Sequence, residues 1–361
     1  MDPLALLRAA LEIPSPSGRE GEVARYLVSR MAEFADESFV DGAGNAVCRL
    51  GRGPLKVTFL GHIDTVPGEI PVREEAGRLY GRGAVDAKGP FCTAVAAASR
   101  LGDEVLAALT LTLIGATEEE APTSKGARHA LAAYPAPNLL IIGEPSGWDA
   151  VTVGYKGRLV VEALVRKGNH HSAGSERTAG EEAVAIWNRL EAWAAHRNRE
   201  RDGIFDQVQA TLQSIATEAD GLEQRCAMTV GFRLPPWLPP AAARGELAKQ
   251  LNGVEHSFAG AEEPFRGPRD TPLTRVFRVA IRESGGSPRL KVKTGTSDMN
   301  VVAPVWQVPV LAYGPGDSAL DHTPDEHVET AELTRAVDVL SRVFESLAIR
   351  ASVDVQRPDN S

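Results

Sequence analysis

The run Lys56-Val57-Thr58-Phe59-Leu60-Gly61-His62-Ile63-Asp64 is apolar over the length of a strand and ends in an imidazole and a carboxylate. Its length and continuous apolar character are those of a strand buried on both faces, as in a parallel sheet. Ligands of open α/β sheets bind beyond the carboxyl ends of the strands, so His62 and Asp64 stand where a site belongs. A second segment, Gly81-Arg82-Gly83-Ala84-Val85-Asp86-Ala87-Lys88-Gly89-Pro90, adds the carboxylate of Asp86 just ahead of an alanine-rich helix expected from about Pro90.

The same arrangement recurs downstream. Residues 106–116 read as a second buried strand that delivers Glu118-Glu119-Glu120, and residues 138–142 as a third that delivers Gly143-Glu144-Pro145. Each feature has an ordinary alternative. His62 could be a satisfied histidine at a strand end, Asp86 a helix N-cap, the Glu run a solvated acidic turn, and His322 a surface residue in competition with His327. The repetition across three strand ends weighs against all of these at once, because like charges gathered at one site need a cation between them. Upstream, Asp2 and Pro3 open a helix over residues 4–11. Residues 46–50 and 55–60 are expected to pair as a hairpin across the turn at 51–54.

Beyond residue 156 the pattern changes to alternating apolar and polar positions, as in antiparallel strands with one wet face. The order strand, helix, two strands, helix, strand predicts a small α+β domain inserted into the first. With 361 residues, two domains are expected: a discontinuous α/β domain over 1–155 and 268–349, an inserted domain over 156–267, and a flexible polar tail from 350 to 361. The net charge of −9 argues against nucleic acid as a partner. Cys48, Cys92 and Cys226 are far apart, which suits inert thiols in a reducing cytoplasm rather than disulfides or a thiolate metal site. No signal peptide and no membrane-spanning run are visible.

Two histidines with several carboxylates suit a pair of borderline divalent ions, zinc, cobalt or manganese, ahead of magnesium or calcium. The run Gly295-Thr296-Ser297-Asp298 offers a serine without a nucleophile elbow, and Gly81-Arg82-Gly83 lacks the third glycine of a dinucleotide loop.

Taken in order, His62-x-Asp64, Gly81-Arg82-Gly83-x-x-Asp86-x-Lys88-Gly89, Glu119-Glu120, Gly143-Glu144-Pro145 and His322-x-x-Asp325-Glu326 resemble the dinuclear zinc aminoacylase and carboxypeptidase family. The resemblance implies a metallopeptidase catalytic domain, with a mixed sheet flanked by helices, and an inserted α+β lid that pairs in a homodimer. It implies two divalent ions, zinc or cobalt. His62 and Glu144 would hold one, Glu120 and His322 the other, and Asp86 would bridge. Asp64 would orient His62, and Glu119 would act as general base. His171, in His171-Ser172-Ala173, resembles the lid histidine that reaches the partner's site, and Arg233 the lid arginine that grips a substrate carboxylate. Gly295, Thr296 and Ser297 would line the substrate.

The short excursion over residues 66–73, with Glu144-Pro145-Ser146-Gly147-Trp148, Gly154-Tyr155-Lys156-Gly157-Arg158 and Lys293-Thr294-Gly295-Thr296-Ser297-Asp298, resembles one branch of that family. Its members release lysine, or ornithine, from the C-terminal glutamate side chain of the small acidic carrier protein LysW, at the end of lysine biosynthesis by the aminoadipate route. Lys156, Arg158, Arg166, Lys167 and Arg177 would form a basic rim for that carrier. The competing expectations are a deacylase of small acetyl- or succinyl-amino acids, and a metal-binding dimeric scaffold without activity.

Overall fold

The computed structural model describes residues 1–171 and 174–355. The chain divides into two compact units. The first comprises Met1–Gly154, Gly267–Lys291 and Ser297–Ser361, the second Tyr155–Arg266 and Val292–Thr296.

The first unit is built on a mixed sheet. Its strands run in the order Glu37–Val40, Ala46–Leu50, Leu109–Ala116, Leu55–His62, Leu139–Gly143, Val310–Ala312 and Ala150–Tyr155. Leu55–His62 lies parallel to Leu109–Ala116 on one side and Leu139–Gly143 on the other. Ala46–Leu50 is antiparallel to Leu109–Ala116. The expected hairpin of residues 46–50 with 55–60 is therefore corrected: Leu109–Ala116 lies between them. The turn that should have closed the hairpin packs instead against residues 106–109. Arg52 N donates to Leu106 O at 2.9 Å and Gly53 N to Leu109 O at 3.2 Å. A Cβ at Gly53 would sit 1.9 Å from the Ala108 carbonyl carbon, so this close backbone crossing requires glycine. Residues 106–108, read as the start of a strand, instead end the short helix Asp103–Ala108.

Helix Lys88–Ala98 is buried at every position. Its small alanines let it lie close to strand Leu55–His62 on one side, and to helices Pro3–Leu11 and Thr330–Val355 on the other. Asp2 caps the first of these, accepting Leu4 N at 3.0 Å with Pro3 at the first helical position. The last helix extends to Val355, so residues 350–355 are helical where a flexible tail was expected, and residues 356–361 lie outside the described residues.

The second unit is a four-stranded antiparallel sheet in the order Gln209–Ala219, Glu223–Leu234, Gly157–Gly168 and Glu255–Glu262, joined by helices Ala179–Arg197 and Pro240–Gln250. Strand Gly157–Gly168 alternates buried and wetter positions, as its sequence predicts. Its inward Leu159 and Val161 join Ile186, Leu190, Trp193, Phe232 and Leu247 in one core. Trp193 and Phe232 meet edge to face, with centroids 5.8 Å apart. A capping box of Thr178 and Glu181 starts the longer helix.

Candidate metal centre

Three parallel strands end on one edge of the first unit's sheet, and each delivers part of a single cluster. His62 is the last residue of its strand. Its Nε2 lies 3.0 Å from Asp86 Oδ1, 3.8 Å from Glu144 Oε1 and 4.0 Å from Glu119 Oε2. His322 approaches from the other side, with Nε2 at 3.2 Å from Asp86 Oδ2 and 2.7 Å from Glu120 Oε1. The Asp86 carboxylate thus turns one oxygen to each imidazole. His62 and Glu144 gather on one flank of it, His322 and Glu120 on the other. Ligand atoms of His62, Asp86 and Glu120 all lie within 4.8 Å of one another.

Asp64 holds this arrangement from behind. It is fully buried, and His62 Nδ1 lies 3.3 Å from its Oδ1. Oδ1 also accepts Glu119 N at 3.1 Å, while Oδ2 accepts Glu120 N at 3.0 Å and Ser17 Oγ at 2.7 Å. Asp64 therefore orients the imidazole through its backbone carbonyl, 3.0 Å from His62 Nδ1, as well as its carboxylate, and the carboxylate pins the turn that carries Glu119 and Glu120. Burial would raise its pKa, but the His62 hydrogen bond and charge, with the other donors, hold it below the usual range.

The electrostatics follow from crowding. Burial disfavours the charged form of His62, yet its hydrogen bonds to Asp64 and Asp86 and the nearby Glu119 charge outweigh this, and its pKa lies well above the ordinary value. Hydrogen bonds to Asp86 and Glu120 raise that of His322 to about 10. Asp86 is held low by the two histidines in spite of its burial. Glu119 moves the other way, raised well above the carboxylate range by burial and by the charges of Glu144, Asp298 and Glu120, against a lowering by His62. Five carboxylates around two imidazoles call for positive charge, and the imidazole and carboxylate donors are those that zinc-type divalent ions take. The residues fit such a centre.

Several contributors carry no marker in the sequence. Glu20, nearly 100 residues upstream, accepts Gly18 N at 2.8 Å and Glu118 N at 3.1 Å. It supports the left-handed Glu118 (φ 56°) that turns Glu119 and Glu120 toward the cluster. Ser17 has the same anonymity. Lys88, quoted above as motif, is buried and donates to Ala10 O at 2.9 Å and Ile13 O at 2.7 Å, anchoring the first helix's end to the Asp86 loop. Asp86 itself does not cap the following helix, whose N-cap is Ala87.

Of the residues expected to meet substrate, Ser297 lies in the first unit, buried, with its hydroxyl capping Met299 N at 3.2 Å. It opens helix Asp298–Trp306. The others lie in the second unit. There Arg233 Nη1 donates to Thr296 Oγ1 at 3.0 Å, which joins two expected residues, with Gly295 adjacent in the chain. His171 is exposed, and its neighbours Ser172 and Ala173 lie outside the described residues. The basic rim is corrected at one position. Lys156 is fully buried and donates to Gln207 O at 2.6 Å and Gln209 Oε1 at 2.8 Å, so it has no surface to offer a partner.

The model of peptidase family M20/M25/M40 matches residues 58–346. The chain belongs to this family. It is accordingly a metal-dependent hydrolase of the metallopeptidase class. Over 348 residues it is 52% identical to a LysW-lysine hydrolase of Deinococcus radiodurans, covering 95% of this chain and 96% of that one. A putative LysW-lysine/LysW-ornithine hydrolase of Thermococcus kodakarensis is 38% identical, over 94% of this chain and 91% of its own. Among solved structures, an M20 family metallo-carboxypeptidase from Sulfolobus solfataricus matches with a TM-score of 0.80, covering 97% of this chain and all of that one. At 17% identity, that likeness shows the shared fold. Among the described residues no helix is long and apolar enough to cross a membrane.

Proposed function

We propose that this protein hydrolyses the amide that joins the α-amino group of lysine to the C-terminal glutamate side chain of the carrier protein LysW. The substrate rests on the 52% identical relative named for that activity, which spans nearly the whole chain. The chemistry rests on one geometric observation, the Asp86 carboxylate shared between His62 and His322. That geometry supports two divalent ions, zinc or cobalt. His62 and Glu144 would hold one, His322 and Glu120 the other, and Asp86 would bridge. Bound there, such ions supply Lewis-acid polarisation of the amide carbonyl and acidify water.

The chain's own groups do the rest. Glu119, whose backbone is pinned by Asp64, takes the proton of the attacking water and passes it to the leaving amine. Asp64 keeps His62 in the tautomer and direction that ligation needs. Arg233 and Thr296 form a fork-and-hydroxyl pair suited to the lysine carboxylate. His171, supplied by the second copy of a homodimer, stabilises the oxyanion as the amide carbonyl is attacked.

The relatives named for both lysine and ornithine make ornithine release from the same carrier a second expected activity. The test is hydrolysis of lysine-loaded and ornithine-loaded LysW beside acetyl-lysine and acetylornithine, before and after chelation. Preference for a loaded carrier, lost on chelation, is the expected result. Preference for the free acyl amino acids would replace this reading with a small-molecule deacylase.

A further inference from the structure

Glu326 takes no part in the chemistry above, yet it is fully buried only four residues beyond His322. Its Oε1 accepts three backbone N–H groups: Gly83 at 3.0 Å, Val85 at 3.0 Å and Asp86 at 3.1 Å. Its Oε2 accepts Arg82 Nη1 at 2.7 Å. Backbone amides converging on one point make an anion cradle, and here the anion comes from the chain itself. Gly83 shapes the cradle with φ 91°, where a Cβ would come within 2.9 Å of Thr65. Just beyond, strand His327–Glu329 pairs antiparallel with Arg78–Tyr80. The segments that carry Asp86 and His322 are therefore already zipped together by backbone pairing, and the Glu326 carboxylate grips the Asp86 loop in addition.

We propose that Glu326 is a positioning residue of the metal centre. Its carboxylate clasps the Asp86 loop to the His322 loop and sets the direction in which the shared carboxylate faces both histidines. The ladder at 78–80 and 327–329 can hold the chain path without it, so the orientation of residues 83–86 is what the clasp adds. This inference rests on the metal-centre reading above.

The test is Glu326→Gln in the full chain. The variant keeps the shape and puts an amide donor where an acceptor stood. Zinc affinity is measured by competition with a chelator, beside the melting temperature of the metal-free protein. The expected result is a folded variant whose zinc Kd rises about tenfold or more, the size of effect that outer partners of metal ligands have. A lower melting temperature with an unchanged Kd would reduce Glu326 to a fold-holding role and overturn the inference. Should Glu326→Gln fail to fold, Glu326→Asp decides by the same measurement, because it keeps the charge and draws the carboxylate back from the three amides. A raised Kd supports the clasp and an unchanged one overturns it. A parent chain that binds no zinc would defeat both, and only that result touches the metal-centre reading itself.

Discussion

Glu119 and Asp64 show how differently two buried carboxylates of one cluster are used. Glu119 faces other carboxylates and gains proton affinity, whereas Asp64 is surrounded by donors and loses it. Glu119→Ala should lower kcat by about 10²–10⁴-fold, the usual worth of a positioned general base. Metal content should be unchanged, as counted by atomic absorption. Near-normal turnover would remove Glu119 from the mechanism. Asp64→Asn should act on the metal instead. An amide offers one acceptor oxygen where the carboxylate uses two for Glu119 N, Glu120 N and Ser17 Oγ. We expect zinc affinity to fall by about 10–100-fold and the metal-free protein to lose about 1–3 kcal/mol of stability. Retention of both by Asp64→Asn would show that the shared acceptor is dispensable. The seven cluster residues, His62, Asp64, Asp86, Glu119, Glu120, Glu144 and His322, were legible because each follows an apolar run or lies in a motif. Glu20 and Ser17 were not, and Glu326 stood in a motif without its role, because their partners are brought to them only by the fold.

Among the elements, the parallel strands were the easiest to read, since each ends in a continuous buried apolar run. Their neighbours were harder. A four-residue turn between two apolar runs looks like a hairpin, but strand Leu55–His62 has parallel partners on both sides, and that displaces Ala46–Leu50 by one position. Helix Asp298–Trp306 was hidden by Pro304 within it and by the turn-like residues of its cap. Lys156 stands buried at the start of the second unit. Burial lowers its pKa to about 8 from 10.5. Between those values the unfolded chain binds the extra proton, so unfolding free energy gains with rising pH from about 8 to 10.5. Below pH 8 the full penalty of a buried charge is present. Lys156→Met should lack this rise in the difference from the parent, measured by urea denaturation across that range. Parallel pH curves for the two proteins would contradict the burial argument.

For the whole molecule, the resemblance predicts a homodimer, and light scattering should give twice the 38.5 kDa chain mass. A monomer that remains fully active would exclude a histidine contributed by a partner. The net charge of −9 leaves association with an acidic carrier dependent on local basic groups, so turnover of loaded carrier should weaken with salt more than that of a small amide. The proposed reaction depends above all on one carboxylate organising two ions at the end of the parallel strands. Crystals grown with zinc and measured at its absorption edge test it most directly. Two anomalous peaks about 3.5–4 Å apart are expected, one beside His62 and Glu144, the other beside His322 and Glu120, with Asp86 between them. A single peak, or peaks remote from Asp86, would contradict it.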